Sequence, residues 1–121
     1  MYNIHKTAII GTGYWGSIIA KSLTKISSKK IIVFDKKKEN SLLLRKKFKK
    51  IVIAKNINEI LDNESIENII LATHPSVNFK LGSKVLKKKK NLFVEKPIVT
   101  NQEKLLKLIK LSKKNKKILM G

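Results

Sequence analysis

Short apolar runs alternate along the chain with segments whose apolar residues recur every three or four positions. "TAIIG" (7–11) is an apolar run closed by glycine, the pattern of a buried strand. In "GSIIAKSLTKI" (16–26), Ile19, Leu23 and Ile26 repeat at helical spacing. "KIIVFD" (30–35) is β-branched and aromatic and predicts a second strand. "KENSLLLRKKF" (38–48) predicts a helix, with Leu42, Leu43 and Arg45 to Phe48 alternating between faces, and "KIVIA" (50–54) a third strand. "NINEILDN" (56–63) predicts a short helix capped by Asn56 or Asn58. "IENIILAT" (66–73) is the fourth strand. "HPSVNFKLGSKVLKKKK" (74–90) opens on Pro75, which suits a first helical turn, and sets Val77, Leu81 and Val85 on one face. "NLFVEKP" (91–97) is a fifth strand ended by Pro97. "TNQEKLLKLIKLSKKN" (100–115) predicts a helix with a Thr100–Glu103 capping box and a stripe of Leu105, Leu108, Ile109 and Leu111. "KKILMG" (116–121) is a sixth strand. Such alternation implies an α/β fold, a parallel sheet of about six strands covered by helices on both faces.

Composition narrows the class. The 121 residues suit one domain, and 42% hydrophobic content is that of a globular chain. The absence of cysteine excludes a disulfide scaffold and a thiolate metal site, and no other metal site is assigned. No apolar run approaches the roughly 20 residues that span a bilayer. The start, "MYNIHKTAIIG", does not read as a signal peptide, so the expected location is the cytoplasm, with no membrane partner.

The net charge of +20 raises nucleic acid as a partner. Of the 28 basic residues only Arg45 is an arginine, the residue suited to bidentate contacts with phosphate and guanine. The lysines are spread along the whole chain, and Lys, Ile and Asn make up 55 of its 121 residues. A solvated, lysine-coated surface with salt-sensitive stickiness explains this, and no specific nucleic-acid partner is expected. The run Lys87–Lys90 ends a predicted helix, where positive charge suits the helix dipole.

"GTGYWG" (Gly11, Thr12, Gly13, Tyr14, Trp15, Gly16) matches G-x-G-x-x-G, follows a predicted strand and opens a predicted helix. The first glycine permits a tight turn, the second lets the backbone approach a pyrophosphate, and the third lets helix and strand pack closely. Free amides at the helix start then face the phosphates, with Tyr14 and Trp15 binding through their backbone while their rings pack at the mouth of the turn. Asp35, 19 positions after Gly16, can accept hydrogen bonds from the adenosine ribose. Together these features predict a Rossmann-type doubly wound sheet that binds a dinucleotide over residues 1–121. Asp35 would repel a 2′-phosphate, which favours NAD, with NADP possible. Lys36, a candidate cofactor contact, is followed by Lys37 and Lys38; these offset that repulsion or are ordinary surface lysines.

"GTGYWG", "ATHPS" (72–76) and "EKP" (95–97) occur in the order and spacing of the glucose–fructose oxidoreductase and inositol dehydrogenase (Gfo/Idh/MocA) family, which the whole chain resembles. The G-Y-W-G form looks most like members acting on nucleotide sugars or other sugar derivatives. The resemblance implies that Thr73 and His74 line the nicotinamide side of the cofactor. It also implies that Glu95 and Lys96 sit beside the nicotinamide, with Lys96 catalytic, assisting proton transfer at a substrate hydroxyl. The Lys96–Pro97 bond is a candidate for the cis form. Two positions depart from the family: relatives often carry histidine at Asn78 and proline at His74, so His74 reads equally as a solvent-facing loop residue. His5 receives no role. Family members continue into a second α/β domain that supplies most substrate contacts and a catalytic histidine. This chain stops at Gly121, which suggests a fragment or a cofactor domain completed by a partner chain, and no appreciable turnover alone. The alternative is a non-catalytic module that senses NAD(H) or complements a partner.

Overall fold

The structure, a computed structural model, describes residues 7–121; His5 lies outside them. Six strands alternate with five helices: β1 Thr7–Ile10, α1 Tyr14–Ile26, β2 Ile31–Phe34, α2 Lys38–Lys47, β3 Ile51–Ile53, α3 Ile57–Leu61, β4 Asn68–Leu71, α4 Pro75–Lys87, β5 Asn91–Val94, α5 Gln102–Asn115 and β6 Leu119–Met120. Every strand pair is parallel, in the order β3-β2-β1-β4-β5-β6. The expected doubly wound sheet is therefore present. The chain reverses its direction of travel between β1 and β4, and that switch point opens a crevice beyond their carboxyl ends.

Two apolar cores flank the sheet. On one face Ile9, Ile31 and Val33 pack against Ala20 of α1 and Leu44 of α2. On the other, Ala8, Ile69, Leu71 and Leu92 pack with Ile60 of α3, Leu86 of α4 and Leu108 of α5. Strands buried on both faces explain why their sequences are near-continuous Ile and Val rather than alternating.

The helices meet the sheet through residues other than those expected from size. In α1 the buried positions are Gly16, Ala20 and Thr24, while Ile26 is exposed. In α2 they are Ser41 and Leu44, while Leu42 and Leu43 face solvent. In α4, Val77 is exposed, and Asn78, Gly82, Val85 and Leu86 turn inward. Small residues dominate these contacts because they let a helix backbone approach the sheet. A Cβ on Gly82 would stand 3.0 Å from Leu92 Cδ2.

Caps follow the expected chemistry with one correction. Asn56 caps α3 by accepting from the Glu59 amide at 2.8 Å. At α5 the cap is Asn101, accepting from the Lys104 amide at 2.8 Å, so the Thr100–Glu103 capping box does not form. The helix begins one residue later than expected, and an Asn side chain satisfies the same orphan amide as well as a Thr would.

Two lysines are not part of a solvated coat. Lys50 Nζ donates to the carbonyls of Thr24 (3.0 Å) and Ser27 (2.5 Å) at the end of α1. Lys90 is buried and donates to Asn63 O (2.7 Å) and Ile66 O (2.6 Å). Burial lowers the pKa of Lys90, and the nearby Glu64 and Asp62 carboxylates offset part of that. The run Lys87–Lys90 thus divides. Lys88 pairs with Asp62 at 2.9 Å on the surface, and Lys90 clasps the turn between α3 and β4. Among the described residues, no helix is long and apolar enough to cross a membrane.

Candidate functional site

The glycine turn joins β1 to α1 at the switch point. Gly11 has φ +98°, a left-handed conformation that glycine adopts without penalty. A Cβ on Gly11 would lie 2.4 Å from Ala72 O, and one on Gly16 would lie 1.8 Å from Gly11 O. Both glycines are therefore demanded by packing within the chain. Gly13 differs: a Cβ there would meet nothing within 4 Å. Its missing side chain leaves space facing outward, where a ligand backbone or phosphate could approach. No side chain caps α1, whose first turn begins at Tyr14, so its leading amides are free of a side-chain acceptor.

Asp35 closes this wall. Its Oδ2 accepts from the Thr12 amide (2.7 Å), the Thr12 hydroxyl (3.1 Å) and Asn40 Nδ2 (3.3 Å), and its Oδ1 accepts from the Lys37 amide (2.7 Å). Partial burial pushes the Asp35 pKa up, but these hydrogen bonds outweigh it and hold the carboxyl below its ordinary value. The group is ionised at neutral pH. A carboxylate offers about four acceptor sites, and Oδ1 uses one, which leaves room for a ribose hydroxyl.

A cleft of about 640 Å³ gathers Gly11, Gly13, Asp35, Lys36, Thr73 and His74. Its apolar lining comes from Phe34, Ile57, Val77 and Leu81, a surface suited to a planar ring. Past Asp35 a second hollow of about 630 Å³ is lined by Lys36, Lys38, Arg45 and Lys55. Thr12 stands beneath rather than in the cleft: it is buried, and both its donors serve Asp35. Its hydroxyl also meets Ser41 Oγ at 3.1 Å. Tyr14 and Trp15 do not pack onto the turn as expected. They contact each other edge to face at 5.2 Å between centroids, and are 74% and 57% exposed.

The opposite wall is built from the ends of β4 and β5. Thr73 Oγ1 donates to Asn78 Oδ1 at 2.6 Å, and Asn78 Nδ2 donates to Pro97 O at 3.4 Å. Asn78 is fully buried, so this one amide ties the β4 exit to the β5 exit. His74 caps α4: its Nδ1 accepts from the Ser76 amide at 3.1 Å and lies 2.9 Å from Ser76 Oγ. It remains exposed and also lines the cleft, as the N-cap of a helix rather than a plain loop residue. The pairing of Leu71 with Val94, continued by the Glu95 amide donating to Leu71 O at 2.8 Å, sets Glu95 at the end of β4. Glu95 and Lys96 do not line the cleft itself, and Lys96 is exposed. The Lys96–Pro97 bond is cis.

Sequence reasoning passed over Lys37, just before α2, and Asn40, in its first turn, as supports of Asp35, although their places so soon after β2 were a usable signal. It also treated Asn78 only as a departure from a family pattern.

The comparisons agree with this geometry. Residues 5–121 match the family described as "Oxidoreductase family, NAD-binding Rossmann fold" (Gfo/Idh/MocA). No match was found among curated proteins. Among solved structures the chain is similar to the UDP-N-acetylglucosamine 3-dehydrogenase GnnA of Acidithiobacillus ferrooxidans, with TM-score 0.87 and 20% identity over 99% of this chain and 38% of that one. It is similar to GenD2 from gentamicin A biosynthesis, solved with NAD, with TM-score 0.88 and 20% identity over 99% and 34%. It also matches a biliverdin reductase of Synechocystis sp. PCC 6803, solved with biliverdin and NADP+, with TM-score 0.85 and 17% identity over 94% and 36%. At these identities the likeness concerns the fold. The chain spans little more than a third of the length of each of these proteins. With the family matched over nearly all of its residues, the chain belongs to the Gfo/Idh/MocA oxidoreductases and is an NAD-binding Rossmann domain of that family.

Proposed function

We propose that residues 1–121 form one cofactor-holding unit of an oxidoreductase acting on a sugar-like alcohol or a nucleotide sugar. The observation that carries this reading is the contrast among the glycines: Gly11 and Gly16 are fixed by internal packing, and Gly13 alone faces open space beside an ionised Asp35. The residues fit a dinucleotide. Gly13 and the leading amides of α1 would take the pyrophosphate, Asp35 the adenosine ribose, and Thr73 and His74 the nicotinamide end. The cofactor, when bound, supplies a hydride acceptor or donor.

The chain's own contribution to chemistry centres on Lys96. Lys96 is exposed just past the end of β5, where its ammonium would hydrogen-bond a substrate oxygen and exchange the hydroxyl proton. Substrate contacts and a second acid–base group would come from a further domain or a partner chain, so the 121 residues alone bind cofactor without appreciable turnover. The nucleotide-sugar reading rests on the G-Y-W-G turn and on the substrate in the name of GnnA. Because Asp35 stays ionised, NAD should bind more tightly than NADP, and the nearby Lys36, Lys38 and Arg45 should keep NADP binding measurable.

The exposed position of Lys96, off the cleft, leaves a second reading, a module that senses NAD(H) without chemistry. The two separate in one assay. An assembly that contains this chain is tested for NAD-dependent oxidation of UDP-sugars with Lys96 or with Lys96→Ala. Loss of turnover with unchanged NADH affinity supports the oxidoreductase; turnover that does not depend on Lys96 favours the sensor.

A further inference from the structure

The helices α4 and α5 lie side by side on the sheet face opposite α1 and α2. Both follow strands of one parallel sheet, so they run in the same direction. Between them is a groove of about 560 Å³. Its floor is apolar, with Phe79 from α4 and Leu111 from α5, both half-buried. Its rims are two rows of lysine: Lys80, Lys84 and Lys87 on α4, and Lys107 and Lys110 on α5. Spacings of three and four residues stack each row along one helix face. The sequence of α4 contains no acidic residue and that of α5 only Glu103, which pairs with Lys107 at 3.5 Å.

We propose that the α4–α5 groove docks an acidic amphipathic helix of a partner protein. The apolar face of that helix covers Phe79 and Leu111, and its carboxylates meet the two lysine rows. Apolar anchors at i, i+4 and i+7 match a groove between two helices. Nucleic acid fits this groove less well. A sugar–phosphate chain would leave the apolar floor uncovered. The only arginine, Arg45, lies on α2, on the other face of the sheet. The groove is distinct from the dinucleotide cleft, although Lys80 and Lys84 border both.

The test is fluorescence anisotropy on the full chain without NADH, at about 0.15 M ionic strength. The probe is a labelled peptide of about 15 residues, long enough to form a helix on binding, with leucines at i, i+4 and i+7 flanked by glutamates. It is expected to bind about tenfold more tightly than a scrambled peptide of the same composition. Lys84→Glu combined with Lys107→Glu is expected to weaken binding about tenfold or more, with the fold checked by circular dichroism. Lys25→Glu combined with Lys46→Glu, on the opposite face, should change it by less than about twofold. The proposal is overturned by absence of binding, by equal binding of the scrambled peptide, or by equal loss from the opposite-face reversal. It is also overturned if a single-stranded oligonucleotide displaces the peptide and itself depends on Lys84 and Lys107, which would make the groove a nucleic-acid site.

Discussion

The two walls of the cleft are built in different ways. The Gly11–Asp35 wall is set by backbone packing and by four hydrogen bonds onto one carboxylate. The opposite wall, at the ends of β4 and β5, is tied across by the buried amide of Asn78, and Lys96 beyond it is exposed and lies off the cleft. The first wall is held by close backbone contacts and a cluster of hydrogen bonds on one carboxylate, whereas the second rests on a longer-range tie and leaves Lys96 beyond it open to solvent.

The largest expected effect comes from breaking the first wall. Gly16→Ala would place a Cβ at 1.8 Å from a backbone oxygen that cannot move cheaply. It should cost about 3 kcal/mol or more, read as a fall in the urea midpoint. Asn78→Ala breaks the second wall. It leaves the Thr73 hydroxyl and the Pro97 carbonyl without their partner, at about 2 kcal/mol by the same melt. An effect as large as that of Gly16→Ala would mean the two walls are equally determined.

Asp35→Asn tests the charge of the first wall. Its new amide group would meet the amide donors of Thr12 or Lys37, and NADH affinity should drop about tenfold by calorimetry. The same residue sets a pH dependence. Its folded pKa lies below its ordinary 3.8, so its contribution to stability is fully present above that value and is lost as pH falls through the folded pKa. Thermal melts should lose stability below about pH 4, less steeply in Asp35→Asn. The smallest effect belongs to the second wall: Lys96→Ala should leave stability within about 0.5 kcal/mol, as for other exposed substitutions, and NADH affinity unchanged.

The element order, the parallel sheet and the glycine turn were legible because they rest on local signals: apolar runs, helical spacing, and three glycines at fixed intervals before an acid. Burial on the helices was less legible. Hydrophobic size points to Leu42, Leu43 and Ile26, yet Ser41, Ala20 and Gly16 face the sheet, because close approach of two backbones favours small residues. The Asn78 tie joins α4 to the segment after β5, 19 residues away, and the clasp of Lys90 onto Asn63 and Ile66 spans more than 20. Nothing local distinguishes that lysine from the other 26. The site was readable on its glycine side, where one motif encodes it, and less so where tertiary contacts assemble it.

The most direct test is a titration of the chain with NADH. Trp15, the only tryptophan, lies two residues after Gly13 and is exposed, so its emission can report a nearby nicotinamide dinucleotide by quenching or energy transfer. The account predicts saturable one-site binding that Gly13→Ala weakens about tenfold while unfolding free energy changes by less than about 1 kcal/mol. Absence of saturation at millimolar NADH, or affinity indifferent to Gly13→Ala, would contradict it.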